Sequence, residues 1–281
     1  MKTYPECMDC FIRQAGDASD LIGSSPSVRK AVIDEVRTIL ASFPEGTTPP
    51  EIARAVYGIV GARCGGGDPY AKIKRKSNIL AMELYPSLKK TIRGSRDPLL
   101  AAVRIAVAGN VIDYGVPHAF DIEEEVEECL DKPFAFLDYE HFRKDASAAR
   151  SILYILDNAG EIVFDRMLIE ELGPERVTAA VRSKAIINDV TMEDAVFTGL
   201  VGITRVIESG STVPGTVIGE TLPEFRELFE TADLVISKGQ GNYETLSDSS
   251  RPIYFIFKAK CPVVAGHAGC KLGDIILKKM G

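Results

Sequence analysis

Apolar positions over roughly the first 135 residues recur at three- and four-residue spacing, in DASDLIGSSPSVRKAVIDEVRTILASF, EIARAVYGIVGARC and DPLLAAVRIAVAGNVIDYG. That is the period of amphipathic helices, and no alternating β-branched run interrupts it. Ser27, next to Pro26, marks the start of a second helix, and Pro49 with Pro50 the start of a third, because proline suits a first helical turn. After the acidic stretch DIEEEVEECLD the pattern changes. Short apolar runs at 151–156, 176–182, 204–209, 233–238 and 252–257 alternate with amphipathic segments such as EIVFDRMLIEELG and LPEFRELFETA. Repeated strand–helix–strand units give that alternation. The chain therefore predicts a helical part over 1–135 and an α/β part over 136–281, in which helices flank a buried parallel sheet.

With 281 residues, 46% of them hydrophobic, the chain buries one large core or two ordinary domains. A net charge of −7 argues against a broad grip on nucleic acid or on an anionic membrane, both of which need clustered Lys and Arg. A small-molecule ligand is expected. An anionic one is allowed, since one bound cation and a few oriented amides can dominate a cleft. The first ten residues, MKTYPECMDC, hold no continuous apolar run, and no later stretch approaches the roughly 20 apolar residues of a membrane span, so a cytoplasmic location is expected. The six cysteines, at 7, 10, 64, 129, 261 and 270, are too scattered for a disulfide scaffold. Cys7 and Cys10 form a Cys-x-x-Cys pair, which reads either as reduced structural thiols or as thiols used for metal or redox chemistry. His118, His141 and His267 have no metal-ligand spacing.

Ligands of parallel α/β sheets bind beyond the carboxyl ends of the strands, so the residues that follow each strand are the candidates. The run DNAGE places Asp157 and Asn158 at the first such end, with Ala159 and Gly160 in the turn and Glu161 at the helix start. A carboxylate and an amide carbonyl are hard oxygen donors suited to a divalent cation. Asp and Asn also cap helices and make turns, so the motif alone leaves both readings open. Asp189, in INDVT, offers a second carboxylate, with the same alternative of a cap on a helix starting near Met192. The loop ESGSTVPGT, entered through Ser209 and Gly210, and the segment SKGQGNYETL either present backbone amides to phosphate or merely make tight turns. Lys238 is a candidate point charge for phosphoryl oxygens. Neither loop has Walker A or dinucleotide spacing. Asn110 and Asp113 share a face if their helix is regular, and either line the cleft or end that helix.

Taken in order, the Cys-x-x-Cys pair, GGDPY, AGNVID, DNAGEIVFD, INDVT, SGSTVPGT, SKGQGNYETL and KAKC resemble the damage-control phosphatases, long catalogued as a domain of unknown function. The cysteine pair is similar to that of the prokaryotic subfamily I. The resemblance spans nearly the whole chain. It implies a helical N-terminal part packed on a Rossmann-like α/β part, with the site between them. It further implies a divalent metal (Mn, Ni, Co or Mg) held by Asp157, Asn158 and Asp189, with Lys238 near the substrate phosphate and Glu161 and Asn110 in the family's motifs. The implied activity is hydrolysis of phosphate monoesters of small metabolites, with damaged purine nucleotides as the suspected substrates of that subfamily.

The expected mechanism is attack by water on phosphorus, with Asp157, Glu161 and Lys238 as the catalytic groups and Asn110, Asp113, Ser209 and Gly210 on the substrate. Attack by Asp157 itself is the rival route, although DNAG lacks the Asp-x-Asp arrangement common in aspartate-nucleophile phosphatases. Two other classes compete. One is an S-adenosylmethionine-dependent methyltransferase, against which stands the lack of a Gly-x-Gly-x-Gly turn after the first strand. The other is a noncatalytic nucleotide-binding protein using the same crevice.

Overall fold

Strands covered by helices on both faces carry buried side chains at every position. Strands β2 (Ile152–Ile155) and β5 (Leu234–Lys238) are buried at each residue, and β3 (Val177–Val181) and β6 (Ile253–Lys258) at all but one. With β4 (Arg205–Glu208) they form the five-stranded parallel part of the sheet, matching the five apolar runs. The computed structural model describes residues 1–63, 68–110 and 127–281.

Two further strands extend the sheet where no strand is expected. β7 (Ile275–Met280) pairs antiparallel with β6, and β1 (Phe134–Leu137) pairs parallel with β7, giving the order β1-β7-β6-β5-β2-β3-β4. The sheet is thus mostly rather than wholly parallel. From β2 the chain steps to β3 and β4 on one side and to β5 and β6 on the other. The order therefore reverses between β2 and β5, and the crevice at such a switch point is where open α/β sheets bind ligands.

The period of two along each strand divides the core. Tyr154, Ala179, Ile236 and Ile256 face α4 (Ala71–Gly94), α5 (Pro98–Gly109) and α7 (Glu161–Leu172), while Leu153, Val235 and Phe255 face Phe225, Phe229 and Tyr243. Among them lie α6 (Tyr139–Ala148), α8 (Met192–Phe197), α9 (Pro223–Thr231), α10 (Gln240–Leu246) and α11 (Pro262–Ala268). Helices α1 (Glu6–Leu21), α2 (Pro26–Leu40) and α3 (Pro49–Arg63) bury a third cluster of their own around Phe11, Val32, Val36, Ile52 and Val56. α3 starts at the expected Pro49. α2 starts at Pro26 rather than Ser27, because Ser25 is the cap: its Oγ accepts from Val28 N at 3.4 Å and leaves proline the first turn. Among the described residues no helix is long and apolar enough to cross a membrane.

Candidate active site

The first question is whether DNAG and INDVT are only caps. They are not. Helix α7 begins after Gly160, at φ +80°, with no side-chain cap. Helix α8 is capped by Thr191 and Asp194, whose side chains and backbone N–H groups bond reciprocally in a capping box. Asp157, Asn158 and Asp189 are therefore released from the structural role that competed with chemistry.

Backbone pairing brings these three together. Asn158 and Asp189 form an isolated antiparallel bridge, Val190 N donates to Asp157 O at 2.8 Å, and Ala159 N donates to Asn188 O at 2.9 Å. The loop that returns Asp189 passes through Ile187 at φ +47°. A β-branched residue is strained there, and such strain persists only where surrounding bonds impose it.

Beneath the loop lies a buried, hydrogen-bonded polar layer. Asn158 Nδ2 donates to Asp157 Oδ2 at 2.6 Å and to Glu161 Oε2 at 3.1 Å. Asn110, which ends α5, donates through Nδ2 to the same two oxygens at 3.3 and 3.0 Å and accepts from Lys258 N. Glu161 Oε1 accepts from Lys238 Nζ at 2.7 Å. That ammonium also donates to Ala106 O at 2.9 Å and to Asp165 Oδ1, so its three N–H bonds point into the protein. Lys238 and Glu161 are wholly buried and absent from the cleft lining. Lys238 thus points into this layer and not into the cleft, where it was expected as a point charge on phosphate. Ser209 and Gly210 are also absent from that lining. Their amides donate to Val181 O at 2.8 Å and to Ser183 Oγ at 2.8 Å, which leaves neither for a phosphate. Asp113 lies outside the described residues.

Burial raises the Asp157 carboxyl well above the usual carboxylate range, and the charges of Glu161 and Asp189 add to the effect, while Arg182 and Lys260 oppose it. Burial alone would lower Lys238, but Asp165 and Glu161 outweigh it and hold the lysine above its ordinary value.

Three residues of this layer escaped the reading of the sequence. Arg182, at the end of β3, is buried. Its Nε donates to Asp189 Oδ2 at 2.7 Å and its Nη2 lies 3.7 Å from Asp157 Oδ1, so one guanidinium spans both carboxylates. Asn242 accepts from Arg182 at 3.1 Å and donates to Leu156 O and Lys238 O, clamping the ends of β2 and β5. Lys260 lines the cleft close enough to Asp157 to act on its charge. Arg182 and Lys260 lie just beyond the ends of β3 and β6, where a stricter use of the strand-end rule would have found them, whereas Asn242 sits in the first turn of α10.

Two glycines let the floor pack closely. At Gly239 (φ +79°) a β-carbon would stand 1.8 Å from Asp157 Oδ2, and at Gly241 one would stand 2.0 Å from Pro214 O. The glycines of SKGQGNYETL thus serve close approach by a carboxylate and by a neighbouring loop.

Above the floor opens a cleft of about 1240 Å³. Its far wall is made by α1 and α3, with Cys7, Cys10, Arg13 and Tyr57, and by Tyr70 just before α4. Among the described residues no three His, Cys, Asp or Glu side chains form a metal-binding group. The expected donor set differs in kind, being two carboxylates and an amide. Its surroundings fit a hard divalent cation: four buried acids, Asp157, Glu161, Asp165 and Asp189, share the layer with two buried cations, Arg182 and Lys238. The acids outnumber the cations, and the donors are oxygen.

A family model described as the damage-control phosphatase ARMT1-like domain matches residues 3–276. A damage-control phosphatase of Archaeoglobus fulgidus is 35% identical over 291 residues, covering 99% of each chain. A damage-control phosphatase of Pyrococcus horikoshii is 34% identical, covering 98% of this chain and 97% of its own. The crystal structure of a DUF89 family protein from Pyrococcus horikoshii superposes with a TM-score of 0.92 at 32% identity, covering both chains completely.

Proposed function

The chain belongs to the damage-control phosphatase ARMT1-like family, and from that premise we propose that it hydrolyses phosphate monoesters of small metabolites with the help of a divalent cation. The observation that carries this reading is the acid-rich layer at the switch-point crevice, where Asp157, Asn158 and Asp189 converge at the base of an open cleft. Asp157, Asn158 and Asp189 would hold the cation. When bound, it would neutralise charge on a phosphoryl group and make water more acidic.

The remaining chemistry belongs to the protein. Lys260 and Arg13, both in the cleft lining, supply positive charge to phosphoryl oxygens, the task expected of Lys238. Glu161 is a positioning group. Both its oxygens are engaged, so it orients Asn158 and Asn110 instead of taking a proton from water. Arg182 aims Asp189 and keeps the two carboxylates from repelling each other apart. Water attacks phosphorus, the P–O ester bond breaks, and inorganic phosphate and an alcohol leave.

The resemblance to subfamily I points to damaged purine nucleotides or related phosphometabolites. An aromatic substrate part is supported by Tyr57, half-buried in the cleft lining and braced edge-to-face at 6.2 Å by the buried Tyr70, since a flat base can pack against its ring.

Metal-stripped protein resupplied separately with Mg, Mn, Co and Ni, and offered nucleoside phosphates, sugar phosphates and an aryl phosphate, tests the proposal. Metal-restored phosphate release that disappears in Asp157→Ala is expected. Cation binding without release from any ester would remove the phosphatase reading and leave a nucleotide-binding protein.

A further inference from the structure

Helix α4 carries two buried polar side chains one turn apart, Lys74 and Asn78. Asn78 Oδ1 accepts from Gly160 N at 2.7 Å, and its Nδ2 donates to Asp194 Oδ1 at 2.9 Å. Gly160 is the last residue of the DNAG turn. Because α7 has no side-chain cap from its own N-cap residue, the amide at its entrance is held instead by a side chain 82 residues upstream.

Asp194 belongs to the other turn. It closes the capping box with Thr191, the last residue of INDVT: its Oδ2 accepts from Thr191 N at 2.9 Å and from Thr191 Oγ1 at 2.8 Å, and Lys74 Nζ lies 2.8 Å from the same oxygen. One side-chain amide therefore joins the turn that carries Asp157 and Asn158 to the turn that carries Asp189. Successive amides of DNAG are both engaged, Ala159 N by Asn188 O and Gly160 N by Asn78 Oδ1, so neither peptide plane can rotate without breaking a buried bond.

The remainder of α4 does a different job. Tyr85 Oη donates to Glu170 at 2.7 Å, and Lys89 Nζ lies 2.9 Å from Glu170 and 3.2 Å from Glu171, all at the far end of α7. The two helices thus run side by side in one direction, gripped at one end by Lys89 and meeting the DNAG turn at the other through Asn78. Grip and turn can be broken separately.

We infer that Asn78 is a positioning residue for the cation site, acting on Asp157 and Asn158 through Gly160 and on Asp189 through Asp194. It is buried and outside the cleft lining, so it works through these residues and not by touching cation or substrate. The inference rests on the cation reading of the site given above.

The metal-stripped full-length chain is titrated with Mn²⁺ by calorimetry, and the melting temperature of each metal-free variant is followed by circular dichroism. Asn78→Ala is expected to weaken Mn²⁺ binding about 10- to 100-fold. Asn78→Ser, a milder change whose hydroxyl cannot span from Gly160 to Asp194, is measured beside it in case the alanine variant does not fold, and is expected to lose affinity in the same direction. Lys89→Met should lower the melting temperature and leave Mn²⁺ affinity unchanged. The double variant Asn78→Asp with Asp194→Asn exchanges donor and acceptor, keeps an acceptor for Gly160 N, and should recover most of the lost affinity. Unchanged affinity in the Asn78 variants, or an equal loss in Lys89→Met, overturns the inference and leaves the cation site standing. A wild-type chain that binds no Mn²⁺ overturns the cation reading, and this inference with it.

Discussion

The floor of the cleft and its helical wall hold polar groups by opposite means. On the floor, Asp157, Glu161, Lys238 and Arg182 come from different strand ends and α7, are buried, and bond to one another through Asn110, Asn158 and Asn242. On the wall, Cys7, Cys10 and Tyr57 are half-buried and Arg13 is exposed, on helices that pack a separate small core. A bridge from Arg54 to Glu220 links α3 to the loop before α9, with both partners partly exposed. Rigid, mutually supported groups suit the centre of a reaction, where misplacement is costly. Half-exposed groups on a separately packed helical layer suit selection among substrates.

Breaking the floor has the largest expected effect. Lys238→Met leaves Glu161 and Asp165 buried without their cation, and should cost about 3–5 kcal/mol of stability, read as a lowered urea midpoint. A loss within experimental error would mean that the floor does not depend on this ion pair. Gly239→Ala is aimed at position instead of charge. A methyl group there meets Asp157 and strains a φ of +79°, so kcat should fall about 100-fold while cation binding weakens. Unchanged kinetics would detach Asp157 from the chemistry.

Between floor and wall stands Glu244, whose carboxyl is pushed up to about 7 by burial, against the pull of its Gln240 hydrogen bond and of the chain's amino group. The folded state holds this proton more tightly than the unfolded chain, so the contribution is fully present below the unfolded value of 4.5 and is lost as pH rises through about 7. Glu244→Gln should flatten the fall in melting temperature over that window and leave the variant more stable at pH 8, by up to about 3 kcal/mol. An unaltered pH profile would show that the group ionises freely in the fold. Least should come from the wall: Arg54→Ala removes a partly exposed pair and should cost under about 1 kcal/mol, less in high salt, checked by urea titration at two ionic strengths. A larger loss would mean that the helical layer depends on this bridge.

β2, β3, β5 and β6 were legible because each is a continuous apolar run, which is what burial on both faces demands, while the edge strand β4 was legible from the shorter run around Val206 and Ile207. β1 and β7 were not, since FAFL alternates half-buried with exposed positions and IILKKM ends in lysines at the sheet's margin. Asp157 and Asn158 were legible as oxygen-bearing groups just after a strand, and Asp189 as a carboxylate after a short apolar stretch. The direction in which Lys238 points was not, because a lysine at a strand end reads the same whether it faces solvent or an internal carboxylate. Arg182 was passed over for the same reason.

What the sequence determined by itself was local: where the hydrophobic period is 3.6 or 2, which residues end each strand, and hence that polar groups gather at one edge of a parallel sheet. What the tertiary structure alone decided is which groups meet. Asn110 reaches Glu161, Arg182 reaches Asn242, and Lys238 reaches Asp165 across long separations in the chain. The reason is physical: the period of a helix or strand depends on neighbours a few residues away, whereas a buried charge takes its partner from whatever strand order and loop closure place beside it, and that order is a property of the whole packed chain.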